Sequence, residues 1–267
     1  MRGDHVGAEQ ALRMALKGDS KFAPAHMILA NVLMYKPPQA KILDGEELKS
    51  AGWGLEAVSH AQKALDRFEE MANKKRGLTS GTAYKKTAQF FSLSYLLFGG
   101  GHYADEPALA EAHYILGKAY TRLVGYDNGS LSDAKRDEYL VAAAPHIQKA
   151  LELARNNDDK LRILMTLSVS ADYAYLKSDS VRAKKEALEA MKMAKRMPNA
   201  ELTEIKFELC LNLYFAYNTD QEYGSAYKYL KGGLDLMGTR LAPDEVVRYN
   251  DMLRECENNM KANRKRK

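Results

Sequence analysis

Apolar positions along the chain recur with the spacing of helix faces rather than of strands. No segment keeps an apolar–polar alternation rich in β-branched residues, so an all-α fold is expected. Two pairs of segments read as helical hairpins: 161–176 with 181–197, and 202–217 with 223–237. A closing helix is expected over 243–260, opened by Pro243-Asp244-Glu245. Its polar positions Arg248, Asp251, Arg254 and Glu257 suit an end cap. The segment from Tyr84 to Phe98 also reads as helix, stopped by Gly99-Gly100-Gly101, but has no evident partner helix.

Small residues punctuate these helices at one interval. Ala8 is followed by Ala15-Leu16, Ala57 by Ala64-Leu65, Ala143 by Ala150-Leu151 and Ala226 by Gly233-Leu234, with Ala187, Ala194 and Pro198 a looser case. Small side chains one helical face apart let two helices approach closely, and the larger ones between them fill the gaps. A longer repeat lies over this one. Ala25-His26-Met27-Ile28-Leu29-Ala30 mirrors Ala112-His113-Tyr114-Ile115-Leu116-Gly117, and His60-Ala61-Gln62-Lys63-Ala64-Leu65 mirrors His146-Ile147-Gln148-Lys149-Ala150-Leu151. The copies are offset by 87 residues at the first histidine and 86 at the second. The simplest reading is a duplicated two-helix unit whose helices are joined by long insertions, 36–54 and 124–139. Pro37-Pro38, Asp44-Gly45 and Asp127-Asn128-Gly129-Ser130 mark these as loops, the second leading to a capped helix start at Ser132.

The segment from Ala110 to Tyr120 resembles the first helix of a tetratricopeptide (TPR) repeat. Leu116, Gly117 and Tyr120 stand at that family's Leu-Gly and Tyr positions, with His113 in place of an aromatic. The paired-alanine pattern is similar to the family's second helix. The resemblance covers 1–240, irregular around 76–105, and is followed by a capping helix at 241–260 and a basic tail at 261–267 expected to be disordered. It implies an α-solenoid of antiparallel helix pairs in a right-handed superhelix, and a scaffold that holds a protein or peptide ligand rather than an enzyme. In such proteins the first helices line a concave groove. Carried over position by position, the groove residues are Met27, Asn31 and Met34; Tyr114, Lys118 and Thr121, with Arg122 adjacent; and Leu211 and Phe215. Met27 stands where some members carry a carboxylate-gripping Lys, which leaves Lys118 and Arg122, one turn apart, to receive an acidic group.

Composition changes this picture little. At 46% hydrophobic residues the chain is not broadly disordered. No run approaches the roughly 18–20 apolar residues of a membrane-spanning helix. The longest apolar patch, Phe90 to Phe98, is broken by Ser92, Ser94 and Tyr95. Lys and Arg exceed Asp and Glu by 40 to 35, and much of the excess sits in 261–267 and in Lys74-Lys75-Arg76. These read as solvated clusters, so no strong nucleic-acid signal is present. Cys210 and Cys256 lie in helical patterns without a Cys-x-x-Cys, which argues against a disulfide framework or zinc site.

No phosphate loop, His-Glu-x-x-His or Gly-x-Ser-x-Gly occurs, so neither a cofactor nor catalysis is expected. His26 with His60, and His113 with His146, would seed a metal site if each pair met across its hairpin. With no Cys or carboxylate set to complete a shell, they read instead as packed core positions, and no metal is expected. Two other functions compete with the scaffold: a solute- or lipid-binding helical protein of an envelope, enclosing a pocket near Phe90, and an RNA-binding repeat using the basic tail. A cytoplasmic location is expected. The start in a second-type helix leaves a removed upstream signal or anchor, and hence the envelope, open. Imperfect caps leave homo-oligomerisation open as well.

Overall fold

The computed structural model describes residues 5–34, 49–77, 106–125, 131–197 and 202–266. The expected helix at 84–98 with its glycine stop, the turn at 127–130, Pro198 and most of the insertion 36–54 lie outside them. The described residues form helices α1 (His5–Gly18), α2 (Ala23–Met34), α3 (Lys49–Gly77), α4 (Glu106–Gly125), α5 (Asp133–Asn156), α6 (Lys160–Leu176), α7 (Ser180–Arg196), α8 (Thr203–Thr219), α9 (Tyr223–Met237) and α10 (Pro243–Arg266), with a 3-10 turn at Gly238–Arg240. Among the described residues there is no strand, and no helix is long and apolar enough to cross a membrane.

Several boundaries differ from the sequence reading; the insertion 124–139, for one, gives up residues 133–139 to α5. α3 begins at Lys49, so the last residues assigned to the insertion 36–54 are already helical. α10 continues through Arg266, so most of the segment expected as a loose tail is helix. Residues 261–266 contain no Gly or Pro to stop it.

Caps and turns explain why the remaining helices start and stop where they do. Ser132 caps α5, its Oγ accepting from the Lys135 N–H. Asp159 and Asp179 accept from the Arg162 and Arg182 N–H groups at the starts of α6 and α7, at 2.9 and 3.0 Å. The turns before α6, α7 and α9 share one geometry. Each places a non-glycine residue in the left-handed region, Asp158, Ser178 and Gln221 with φ of 51, 59 and 60°. The next N–H in each turn reaches back to the carbonyl of Ala154, Ala174 or Tyr217. This closure satisfies carbonyls that a helix end leaves open.

The helices fall into two packed groups, residues 2–162 and 163–267, divided within α6. In the first group α2 packs on α3, α3 on α4 and α4 on α5, and α2 also touches α4. α4 and α5 run antiparallel, since His113 meets His146 while Tyr120 meets Tyr139. Leu29, Leu116 and Phe68 are at most 1% exposed here, each contributing roughly 1.5–3 kcal/mol through burial. Gly117 permits the closest approach of α4 and α5. A Cβ on it would lie 2.8 Å from Ile147 Cγ1 and 3.2 Å from the Ile147 backbone nitrogen.

In the second group α7 packs on α8, α8 on α9 and α9 on α10. Asn212 of α8 donates to the Ser168 carbonyl of α6 at 3.0 Å, and Tyr175 of α6 lies beside Phe215 of α8. Ala174, Ala183 and Ala216, one from each of α6, α7 and α8, meet in a cluster at no more than 1% exposure. α10 closes on α8 and α9 through Tyr249 and Cys256, packed with Phe207, Tyr214, Ala226 and Leu230. Each group therefore has a helix touching its successor and a further contact between alternate helices. The alanines of the repeating interval are fully covered at 57, 64, 143, 150, 187, 194 and 226. The matching Ala8 and Ala15 of α1 are exposed.

Candidate functional site

Two features stand out: the positions assigned to a ligand groove, and the histidines. Of the groove residues in the first packed group, Met27, Met34, Tyr114, Lys118 and Thr121 are buried, while Asn31 and Arg122 are half-buried. The covered residues do not offer an open face. Thr121 turns its hydroxyl back to the Gly117 carbonyl at 2.8 Å. The Tyr114 ring carries the Lys118 ammonium at 5.5 Å and the Arg162 guanidinium at 4.9 Å from its centroid. Arg162 is also ion-paired with Glu111, and burial pulls its pKa down to about 10. Arg122 Nη1 donates to the Met34 carbonyl at 3.4 Å, at the C-terminal end of α2 where carbonyls lack helical partners. The Lys118–Arg122 pair, read as a receiver of acidic groups, is engaged in packing α4 against its own surroundings.

Leu211 and Phe215 are half-buried, as Asn31 and Arg122 are. They lie one turn apart on α8, partly buried against the core cluster beneath and partly open. The Tyr175 ring of α6 lies 5.3 Å from that of Phe215. The residues bring together an aromatic and aliphatic patch on neighbouring helices. Its spacing is fixed by the buried Asn212–Ser168 hydrogen bond. Position-by-position comparison found Leu211 and Phe215. Tyr175, near the C-terminal end of α6, was missed.

The histidines do meet. His26 Nδ1 lies 2.6 Å from His60 Nδ1, and His113 Nδ1 lies 3.0 Å from His146 Nδ1. The ring centroids are 4.9 and 5.2 Å apart, with planes inclined by 32 and 29°. Those separations match the N···N contact plus two ring radii, so the nitrogens point head-on. This is the geometry of one proton held between two imidazoles, one ring donating and the other accepting.

In the first pair the tautomers follow from the surroundings. His26 Nε2 lies 3.0 Å from the Ser20 carbonyl, which only accepts, so Nε2 carries a proton. In the neutral pair His26 Nδ1 therefore accepts and His60 Nδ1–H donates. His60 Nε2 then faces Glu56 Oε1 at 3.7 Å, and Glu56 is paired with Arg13 at 2.7 Å. Burial and the neighbouring His26 lower the His60 pKa, with Glu56 acting the other way. In the second pair burial, then His146 and Lys149, lower His113 to about 4, and burial lowers His146. Among the described residues no group of three or more His, Cys, Asp or Glu is placed to hold a metal. Glu56 and Arg13 were not singled out in the sequence, though Glu56 stands four residues before His60 and so shares its helix face.

Cys210 and Cys256 are unpaired and buried. Burial pushes the Cys210 thiol up to about 11 and raises that of Cys256. Neither is poised as a nucleophile.

Among the described residues the fold is all-helical, with sequentially packed helices in which two hairpins share one histidine pairing. The chain matches no model of a known family and no curated protein sequence.

Proposed function

We propose that the chain is a protein–protein interaction module, a tetratricopeptide-like α-solenoid that holds a protein or peptide against the first helices of its hairpins. The observation that carries this reading is the patch of Leu211, Phe215 and Tyr175 across α8 and α6. The resemblance assigns the first two of these to ligand contact, and both keep part of their surface open, as do Asn31 and Arg122, while the other five expected positions are covered. Aromatic side chains offer a large contact area with few rotatable bonds, so ordering them on binding costs little. A patch anchored from below by packed core residues is also pre-organised, which reduces that cost further. With Lys118 and Arg122 engaged, contact with apolar side chains of the ligand, rather than a grip on its carboxylate, carries the recognition.

The test is capture from the extract of the native cell, read by mass spectrometry, with wild type set beside a Leu211→Glu variant. Circular dichroism and thermal melting check that the variant is folded. A protein enriched by wild type and lost with folded Leu211→Glu supports the reading. Identical protein profiles for the two remove this patch as the binding face.

A further inference from the structure

The two histidine pairs occupy equivalent places but stand in unequal surroundings. The residue four before His60 is Glu56, whose carboxylate faces His60 Nε2 and is held by Arg13 of α1. Four before His146 stands Ala142, which has no charge to offer. Among the described residues, the charges acting on His113 are those of His146 and Lys149, both repulsive to a proton. The other titratable neighbours are the phenols of Tyr120 on α4, stacked on His146 at 6.4 Å, and of Tyr139 on α5, stacked on Tyr120 at 6.0 Å. Around the first pair the charged groups among the described residues are Glu56 and Lys63 on α3 and Arg13 on α1.

An added proton has different consequences in the two places. In the first pair it enters at His60 Nε2, the only ring nitrogen left bare, and creates a donor aimed at Glu56. The shared Nδ1 proton stays where it is, and the head-on contact survives. In the second pair an added proton makes an imidazolium that no carboxylate of the described residues compensates, beside a neutral ring and a lysine, in a half-buried site. α5 is also locally weaker there. Pro145, directly before His146, lies inside the helix and cannot donate the backbone hydrogen bond expected of it.

We infer that the α4–α5 hairpin is an acid-sensitive joint, held closed by the neutral His113–His146 pair and loosened by a further proton, while Glu56 makes the equivalent α2–α3 hairpin less sensitive. The sign follows from the direction of the shift. Imidazoles that resist protonation when packed contribute closure above the ordinary histidine pKa of about 6.5. That contribution fades as pH falls from there towards the packed value of about 4.

The test is amide hydrogen exchange by mass spectrometry on the whole chain at pH 7.5 and 5.0, with rates corrected for their intrinsic pH dependence. The expected result is a loss of protection of about tenfold in peptides from α4 and α5, the change that one pKa unit produces, with a clearly smaller loss in α2 and α3. Two exchanges of residue make the mechanism specific. Ala142→Glu, which gives His146 the carboxylate its counterpart has, restores α4–α5 protection at pH 5.0. Glu56→Gln transfers the sensitivity to α2–α3. A third variant, His113→Gln with His146→Gln, keeps hydrogen-bonding groups that do not titrate and removes the pH response even if Ala142→Glu folds poorly. Equal loss in both hairpins of the wild type overturns the proposal. So does a pH response that persists in the double glutamine variant.

Discussion

Gly117 decides how closely α4 and α5 approach, and Gly117→Ala weighs two opposing effects. Alanine is the better helix former, by about 1 kcal/mol inside a helix. At position 117, however, its methyl group would meet Ile147 Cγ1 at 2.8 Å and the Ile147 backbone nitrogen at 3.2 Å. The isoleucine tip can rotate; the backbone nitrogen of α5 moves only with its helix. Forcing extra volume into a packed contact costs about 1–3 kcal/mol, so a net loss of about 1–2 kcal/mol is expected. Gly232 is the internal control. It is also helical, but a Cβ there meets nothing within 4 Å, so Gly232→Ala should gain about 1 kcal/mol from propensity alone. Urea unfolding of the wild type and both variants, followed by far-ultraviolet circular dichroism, measures the two shifts. Amide exchange then locates the Gly117→Ala loss in α4 and α5. The refuting result is a Gly117→Ala midpoint at or above that of the wild type. It would mean that the α4 and α5 backbones do not meet at Ile147.

Three further outcomes follow from the packing. Asn212→Ala removes the buried hydrogen bond to the Ser168 carbonyl and should cost about 1–2 kcal/mol in denaturant unfolding; no change would mean that this bond does not tie α8 to α6. Gln221→Gly relieves a left-handed backbone at φ 60° and should raise stability by about 0.5–1 kcal/mol, read as a higher melting temperature. Cys210 and Cys256, buried and with raised thiol pKa values, should resist a thiol-labelling disulfide reagent at pH 8 in the folded chain and react at once in denaturant; rapid native labelling of either would contradict its burial.

Much of the helical framework was legible because its signals are local. α9 begins and ends where the apolar pattern does, at Tyr223 and Met237, and Ser132 caps α5 as its position before an acidic first turn suggests. The duplication placed the four histidines in equivalent registers, and the structure brings them together in pairs. Local signals misled where a residue serves packing instead of punctuation. The sequence reading bounds the first insertion at Gly54, yet a Cβ there would lie 2.6 Å from Leu123 Cδ1, so that glycine sits inside α3 and admits a neighbouring helix. Lys118 shows another limit. A position on a helix face says which way a side chain points, not what covers it, and Lys118 is 4% exposed. The head-on direction of the imidazoles, the Arg122 contact with the Met34 carbonyl and the reach of Arg13 to Glu56 are products of tertiary packing with no local sequence signal.

The measurement that bears most directly on the proposed role is site-specific photo-crosslinking in the native extract. A benzophenone amino acid is placed at Leu211 in one preparation and at the exposed Lys228 of α9 in another. An interaction module working through the α6–α8 patch yields a discrete protein adduct from position 211 and none from position 228. Absence of any protein adduct at 211, or the same adducts from both positions, contradicts it.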